Sequence, residues 1–213
     1  MNVETLPRGF ARVFLISPAR IGGPRSSLLL RDQADFDLAV RLRHGRATIG
    51  EVYSFISELY FRGKMAYAEA FAAPPEGVPH SLIIVPGLGL VPPAAMLNVE
   101  QLRLIGSVSV EESNQAYRLP LMRDAALLDQ HAGPSCRYAL LGSIATAKYT
   151  EPLLNVFGER LLFPIDFVGR GDMSRGGLML RCARSGEELT YACLRGATRH
   201  GPRPAKLEPW RRQ

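Results

Sequence analysis

"ARVFLISPAR", residues 11–20, decides the fold. Val13, Phe14, Leu15 and Ile16 run without a polar break, which suits a strand covered on both faces, as in a parallel sheet. The chain then turns small and polar in "SPARIGGPRSS" (17–27). The same succession recurs three times. "HSLIIVPGLGLVPP" (80–93) predicts a strand over Leu82–Val85 stopped by Pro86, and "CRYALLGSIATAKYTEPLLNVFG" (136–158) one over Tyr138–Leu141 followed by a loop and a helix closed by Gly158. "RLLFPIDF" (160–167) reads as the fourth strand and runs into the glycine-rich "FVGRGDMSRGG" (167–177).

Helical patterns separate these strands. "SLLLRDQADFDLAVRLRHG" (27–45) reads as partly helical with Gly45 as its stop. In 48–77, Val52, Phe55, Ile56, Leu59 and Tyr60, then Met65, Ala66, Tyr67, Ala70 and Phe71, recur at helical spacing. One helix interrupted at Gly63, or two short ones, fits, and Pro74-Pro75 ends the pattern. The region from 94 looks helix-poor until "YRLPLMRDAALLDQHAG" (117–133). "GLMLRCARSGEELTYACL" (177–194) reads as two strands around "RSGEE". The expectation is an α/β domain over 1–194, with a mostly parallel central sheet flanked by helices in three layers. A C-terminal antiparallel hairpin and a basic tail over 195–213 complete it.

Composition narrows the function. At 213 residues, with 46% hydrophobic and 22% charged residues, the chain can bury a full core. It has no apolar run long enough to span a bilayer and no leader pattern, so the expectation is a cytoplasmic protein with no membrane partner. The net charge of +6 is mostly local, because 195–213 holds six Lys/Arg against Glu208 alone. That tail, with Trp210, reads as a solvated arm, as an arm packed back on the body, or as a nucleic-acid contact. Cys136, Cys182 and Cys193 show no ligand spacing, Cys182 and Cys193 being expected on neighbouring strands as buried thiols. No metal site and no cofactor is expected.

The loops after the four strands carry the functional reading. In an open parallel sheet, ligands bind beyond the carboxyl ends of the strands. Ser17, Arg20, Gly22, Gly23 and Arg25 follow the first strand, and Ser143, Lys148 and Tyr149 the third. Asp166, Arg170, Asp172, Ser174 and Arg175 follow the fourth. Small residues turn backbone amides toward an anion and arginines offer forked donors, so these segments are expected to converge on a phosphate-binding rim. Arg20, Lys148 and Arg170 should share one cleft. From the long helix, Tyr60 and Lys64 join the binding set. Glu51, Ser54 and Glu58 line one face, normally solvated, although Glu51 or Glu58 beside the rim would suit a general base. Tyr53, Tyr60 and Tyr67, seven residues apart, fit core packing better than base stacking.

The order of these pieces resembles the YaaA-like peroxide-stress proteins and related bacterial and phage domains. The likeness runs over roughly 12–177 and is carried by "LISPAR", "LYFRGKMAYAEAF", "LIIVPGLGLVPP", "GSIATAKYTEPLLNVFG" and "LLFP" before the glycine-rich segment. It implies a three-layer domain of the broader group that includes uracil-DNA-glycosylase-like folds, and nucleotide or nucleic-acid binding. Such enzymes place a carboxylate or amide in the loop after the first strand; "SPARIGGPRSS" has neither. Three functions compete. The first is a protein acting on a nucleotide or nucleic acid, with Asp166 or Asp172 serving hydrolysis of an N-glycosidic bond. The others are a non-catalytic DNA- or RNA-binding protein and a scaffold subunit whose hairpin or tail pairs with a protein partner.

Overall fold

The computed structural model describes residues 10–207. Trp210 and the last basic residues of the tail lie outside that range. Strand β1 (Arg12–Ile16) is wholly buried, and its side chains divide between two cores. Phe14 and Ile16 face one core, Val13 and Leu15 the other. That division is why the run has no polar position: neither face of the strand meets water.

The first core is covered by α1 (Pro24–Leu29), α2 (Asp37–Arg43), α3 (Ile49–Phe71), α4 (Val99–Ser107) and α7 (Asp172–Ser185). The second is covered by α5 (Gln115–Ala132) and α6 (Ala147–Phe157). Between them, β3 (Ser81–Val85), β1, β6 (Arg137–Leu141) and β7 (Leu161–Pro164) run parallel. The order β4-β3-β1-β6-β7-β8 adds an antiparallel strand at each edge, β4 (Gly89–Val91) and β8 (Tyr191–Cys193). A separate antiparallel pair, β2 (Ala47–Thr48) with β5 (Met96–Leu97), sits at the start of α3. This is the expected three-layer α/β fold, with mostly parallel strands.

Four local expectations change. The interruption of α3 falls at Glu58 (φ 43°, ψ −119°), not at Gly63. Gly63 instead lets α3 touch α7: a Cβ there would stand 2.6 Å from the Gly176 carbonyl oxygen. Residues 99–107 are helical, opened by a reciprocal cap between Asn98 and Gln101 inside a stretch that otherwise reads as irregular. The fourth strand stops at Pro164, and a 3-10 turn (Ile165–Phe167) takes up the rest of "FPIDF".

The C-terminal antiparallel addition is a single strand, β8 on β7, and not a hairpin. Its expected first arm is helix α7, closed by Gly186 in the left-handed region. The alternation in "GLMLRCA" is overridden because Gly176 must pass close to α3: a Cβ on it would lie 2.7 Å from the Tyr60 Cα. Cys182 is therefore on a helix and Cys193 on β8, and all three cysteines are free thiols. Among the described residues no helix is long and apolar enough to cross a membrane.

The tail packs back as far as it is described. Arg199 donates to the Thr150 hydroxyl at 3.2 Å. At Gly169 (φ 70°) a Cβ would stand 2.2 Å from the Pro202 carbonyl oxygen, so only glycine admits the tail backbone there. Two of the four glycines of "FVGRGDMSRGG" serve close approaches of the chain to itself, Gly169 to the tail and Gly176 to α3, whereas Gly171 has open space around it.

Candidate functional site

Because β1, β3, β6 and β7 are parallel, the loops after them leave the sheet on one edge. The chain order reverses at β1, whose neighbours are β3 on one side and β6 on the other. The helices after β1 cover one face, whereas α5 and α6 cover the opposite face. A crevice opens at such a reversal, beyond the carboxyl ends of the two strands. Here it is a cleft of about 380 Å³. Pro18 and Arg20 from the first loop, Pro86 from the second, Ile105 of α4, and Lys148 and Tyr149 of α6 line it.

Arg20 and Lys148 meet in this cleft as expected, but Arg170 does not line it. Arg20 makes no hydrogen bond or ion pair among the described residues. The Lys148 ammonium lies 5.0 Å from the centre of the Tyr149 ring. Arg170 turns back on its own loop, donating to the Asp166 carbonyl at 3.1 Å and to Ser174 Oγ at 3.1 Å, and so occupies Ser174 as well.

Several other candidates are committed to local structure. Arg25 pairs with Glu58 and donates to the Phe55 carbonyl at 3.2 Å. The Gly22 amide donates to Ser26 Oγ at 2.8 Å, and Gly23 caps the start of α1. Ser143 Oγ accepts the Ala145 amide at 3.4 Å in the turn before α6. Glu51 closes a reciprocal cap with Thr48 and binds Arg41 at 2.9 Å. Its carboxyl is lowered to about 2, chiefly by the Arg41 hydrogen bond, so it cannot serve as a base near neutrality. Glu58 is taken by Arg25. Neither glutamate belongs to the site.

Behind the cleft stands a buried polar centre. Lys64 is 0% exposed. Its Nζ lies 2.8 Å from the Ser17 carbonyl oxygen and 2.9 Å from Ser17 Oγ, and 4.1 Å from the centre of the Tyr60 ring. Burial lowers its amine to about 7; Asp172 pulls the other way, and Arg175 adds to the lowering. No carboxylate hydrogen-bonds it.

Tyr60, 7% exposed, presses its hydroxyl against Arg175 and Ser17 without reaching hydrogen-bond geometry with either. Burial pushes that hydroxyl up to about 12. Arg175 is also buried and spends two nitrogens on the Phe167 carbonyl, at 3.2 and 2.8 Å, and a third on Asp172 at 3.4 Å. Tyr149 joins the cleft to this centre, since Tyr60 and Asp172 both raise its hydroxyl after burial.

The two candidate carboxylates separate. Asp172, the first residue of α7, stands by Lys64, Tyr60 and Tyr149, with its side chain 65% exposed. Asp166 is exposed, in the 3-10 turn after β7. Among the described residues no cluster of three or more His, Cys, Asp or Glu could hold a metal ion.

The sequence places Lys64 among the phosphate-binding residues, but its side chain is fully buried and lines no part of the cleft. In the structure it shares the buried stripe of Tyr60, Tyr67 and Ala68, and the signal was present as spacing. Positions 60, 64, 67 and 68 follow the helical repeat, which puts a lone lysine on an apolar face. The glycine contacts had no such signal, because Gly63 and Gly176 are far apart in the chain.

Comparison with protein-family models, with curated proteins and with solved structures finds no match.

Proposed function

We propose that the protein binds a nucleotide or a nucleic acid by its phosphate, in the cleft between the first and third strand-end loops. One observation carries this reading: Arg20, with no ion pair or hydrogen bond of its own among the described residues, meets Lys148 at the mouth of a cleft at the sheet's reversal point. Two cations lining one concavity without a partner carboxylate among the described residues raise its potential toward an anion, and a guanidinium offers forked donors that match phosphate. The cleft volume, about 380 Å³, suits a mononucleotide or one nucleotide of a strand. Tyr149 offers a ring beside the phosphate. The resemblance in motif order to YaaA-like proteins points the same way.

Hydrolysis of an N-glycosidic bond is less well served. A cationic sugar gains most from a carboxylate in a dry site. Asp172 is largely in water and held by Arg175, and Asp166 stands apart. The geometry favours phosphate binding over glycosidic chemistry.

The test is titration of the protein with adenosine monophosphate and with a short single-stranded oligonucleotide, by calorimetry at low and moderate salt. Binding that weakens with salt, and about tenfold on Arg20→Ala or Lys148→Ala, is expected. No binding of either probe at low salt, or binding that both variants leave intact, sinks the reading.

A further inference from the structure

We infer that Ser17 and Lys64 form a nucleophile and its base, and that Ser17 Oγ attacks the phosphorus of a phosphate diester held at the cleft. This rests on the phosphate reading above and adds a reaction to it.

The arrangement has the order such a pair needs. Lys64 is fully enclosed, while Ser17 in front of it keeps 4% of its surface and directly precedes Pro18 of the cleft wall. Lys64 Nζ donates to the Ser17 carbonyl at 2.8 Å and to Ser17 Oγ at 2.9 Å; once the amine has lost its proton, the same short Nζ–Oγ contact lets its lone pair take the Ser17 proton. Among the described residues no carboxylate hydrogen-bonds Lys64, so no such bond holds its proton on the amine. The groups facing it are Ser17 from the end of β1, Tyr60 and Phe61 on its own helix, and Asp172 and Arg175 from α7. Burial outweighs the pull of Asp172 and leaves the amine able to take a proton near neutral pH.

Gly142, directly after β6, packs against Ser17 so closely that only glycine fits there. A Cβ there would stand 2.9 Å from Ser17 Oγ and 2.7 Å from its Cβ. The unpartnered Tyr60 hydroxyl, against Ser17 and Arg175, is a buried donor without an acceptor. A phosphoryl oxygen at Ser17 would supply one.

Lys64 takes the Ser17 proton as the Oγ–P bond forms; the bond from phosphorus to the leaving oxygen breaks, and that oxygen leaves with the proton from Lys64. Water then attacks phosphorus, gives a proton to Lys64, and the Oγ–P bond breaks as Ser17 is reprotonated. The sum is diester plus water to monoester plus alcohol.

A fluorophosphonate probe tests it, since the same attack at phosphorus expels fluoride and leaves a stable adduct. Peptide mass spectrometry of the folded protein should place one adduct on Ser17. The labelling rate should rise with pH to a plateau, with its midpoint near 7. Lys64→Met, checked for folding by thermal unfolding, should label at least about a hundredfold more slowly. Absence of an adduct at Ser17 in the wild type, or labelling of Lys64→Met at the wild-type rate, overturns the pair. Adenosine monophosphate binding by the wild type separates the readings: binding with no Ser17 adduct defeats only the pair, and a Ser17 adduct with no binding defeats the phosphate reading and with it the diester substrate.

Discussion

The Lys64 ammonium nitrogen reaches Ser17 twice, at the carbonyl (2.8 Å) and at the hydroxyl (2.9 Å), and no carboxylate shares it. Folding therefore encloses a lysine whose proton is easier to lose than in the unfolded chain, where its ordinary value is 10.5. Between about 7 and 10.5 the unfolded state binds more protons, so this group makes the protein more stable as pH rises through that window. Below it both states are protonated and the contribution is flat. Urea unfolding of wild type and Lys64→Met from pH 6 to 9.5 checks this. The stability advantage of Lys64→Met should shrink with pH by up to about 1.4 kcal/mol per unit. Parallel curves would show that Lys64 keeps an ordinary amine.

The contact of α3 with α7 predicts a steric penalty. A Cβ on Gly63 meets the Gly176 backbone at 2.6 Å, and one on Gly176 meets the Leu59 carbonyl oxygen at 2.6 Å. Backbone cannot swing aside as a side chain can. Alanine gains up to about 1 kcal/mol of helix propensity over glycine. Overpacking costs about 1–3 kcal/mol, so either Gly→Ala variant should be net destabilised in urea titration.

Glu58 adopts φ 43° and ψ −119°, where a side chain is strained. Glu58→Gly relieves that strain and gives up the exposed pair with Arg25, which is worth little. Thermal unfolding should show a protein at least as stable as wild type, whereas Glu58→Val should lose about 1 kcal/mol or more.

The α3 cap predicts acid sensitivity. Glu51, lowered from 4.5 to about 2, supports folding fully above pH 4.5. That support is lost as pH falls from 4.5 toward 2, the unfolded state taking up the proton first. Thr48→Ala should cost about 1 kcal/mol at neutral pH. Glu51→Gln should flatten the acid limb of the stability curve, measured by urea unfolding at several pH values.

Much of this architecture could be read from the chain. The four strands were visible because each is a short apolar run ending in small or kinked residues, and their parallel pairing puts the strand-end loops on one edge. Helix α7 was not visible. Leu178, Leu180 and Cys182 alternate as in a strand, and only the distant backbone of α3 requires a helix there. Helix α4 was legible: Val99, Leu102 and Ile105 recur at helical spacing and Asn98 with Gln101 forms the capping pattern that opens it, though the polar residues between them masked both. The cleft was half legible. Arg20 and Lys148 announced themselves by type and place, but whether an arginine is free or spent on its own loop, as Arg170 is, depends on a turn that composition does not encode.

The seat that Gly169 offers to the carbonyls of Gly201 and Pro202 alters what the positive charge of the chain means. The basic end is not simply a cloud around the particle; its described part is a coat fastened over the turn that leads into α7. Cutting it away strips shelter from Val168 and Gly177 along with the charge, so a truncated chain reports on missing cover as much as on missing cations.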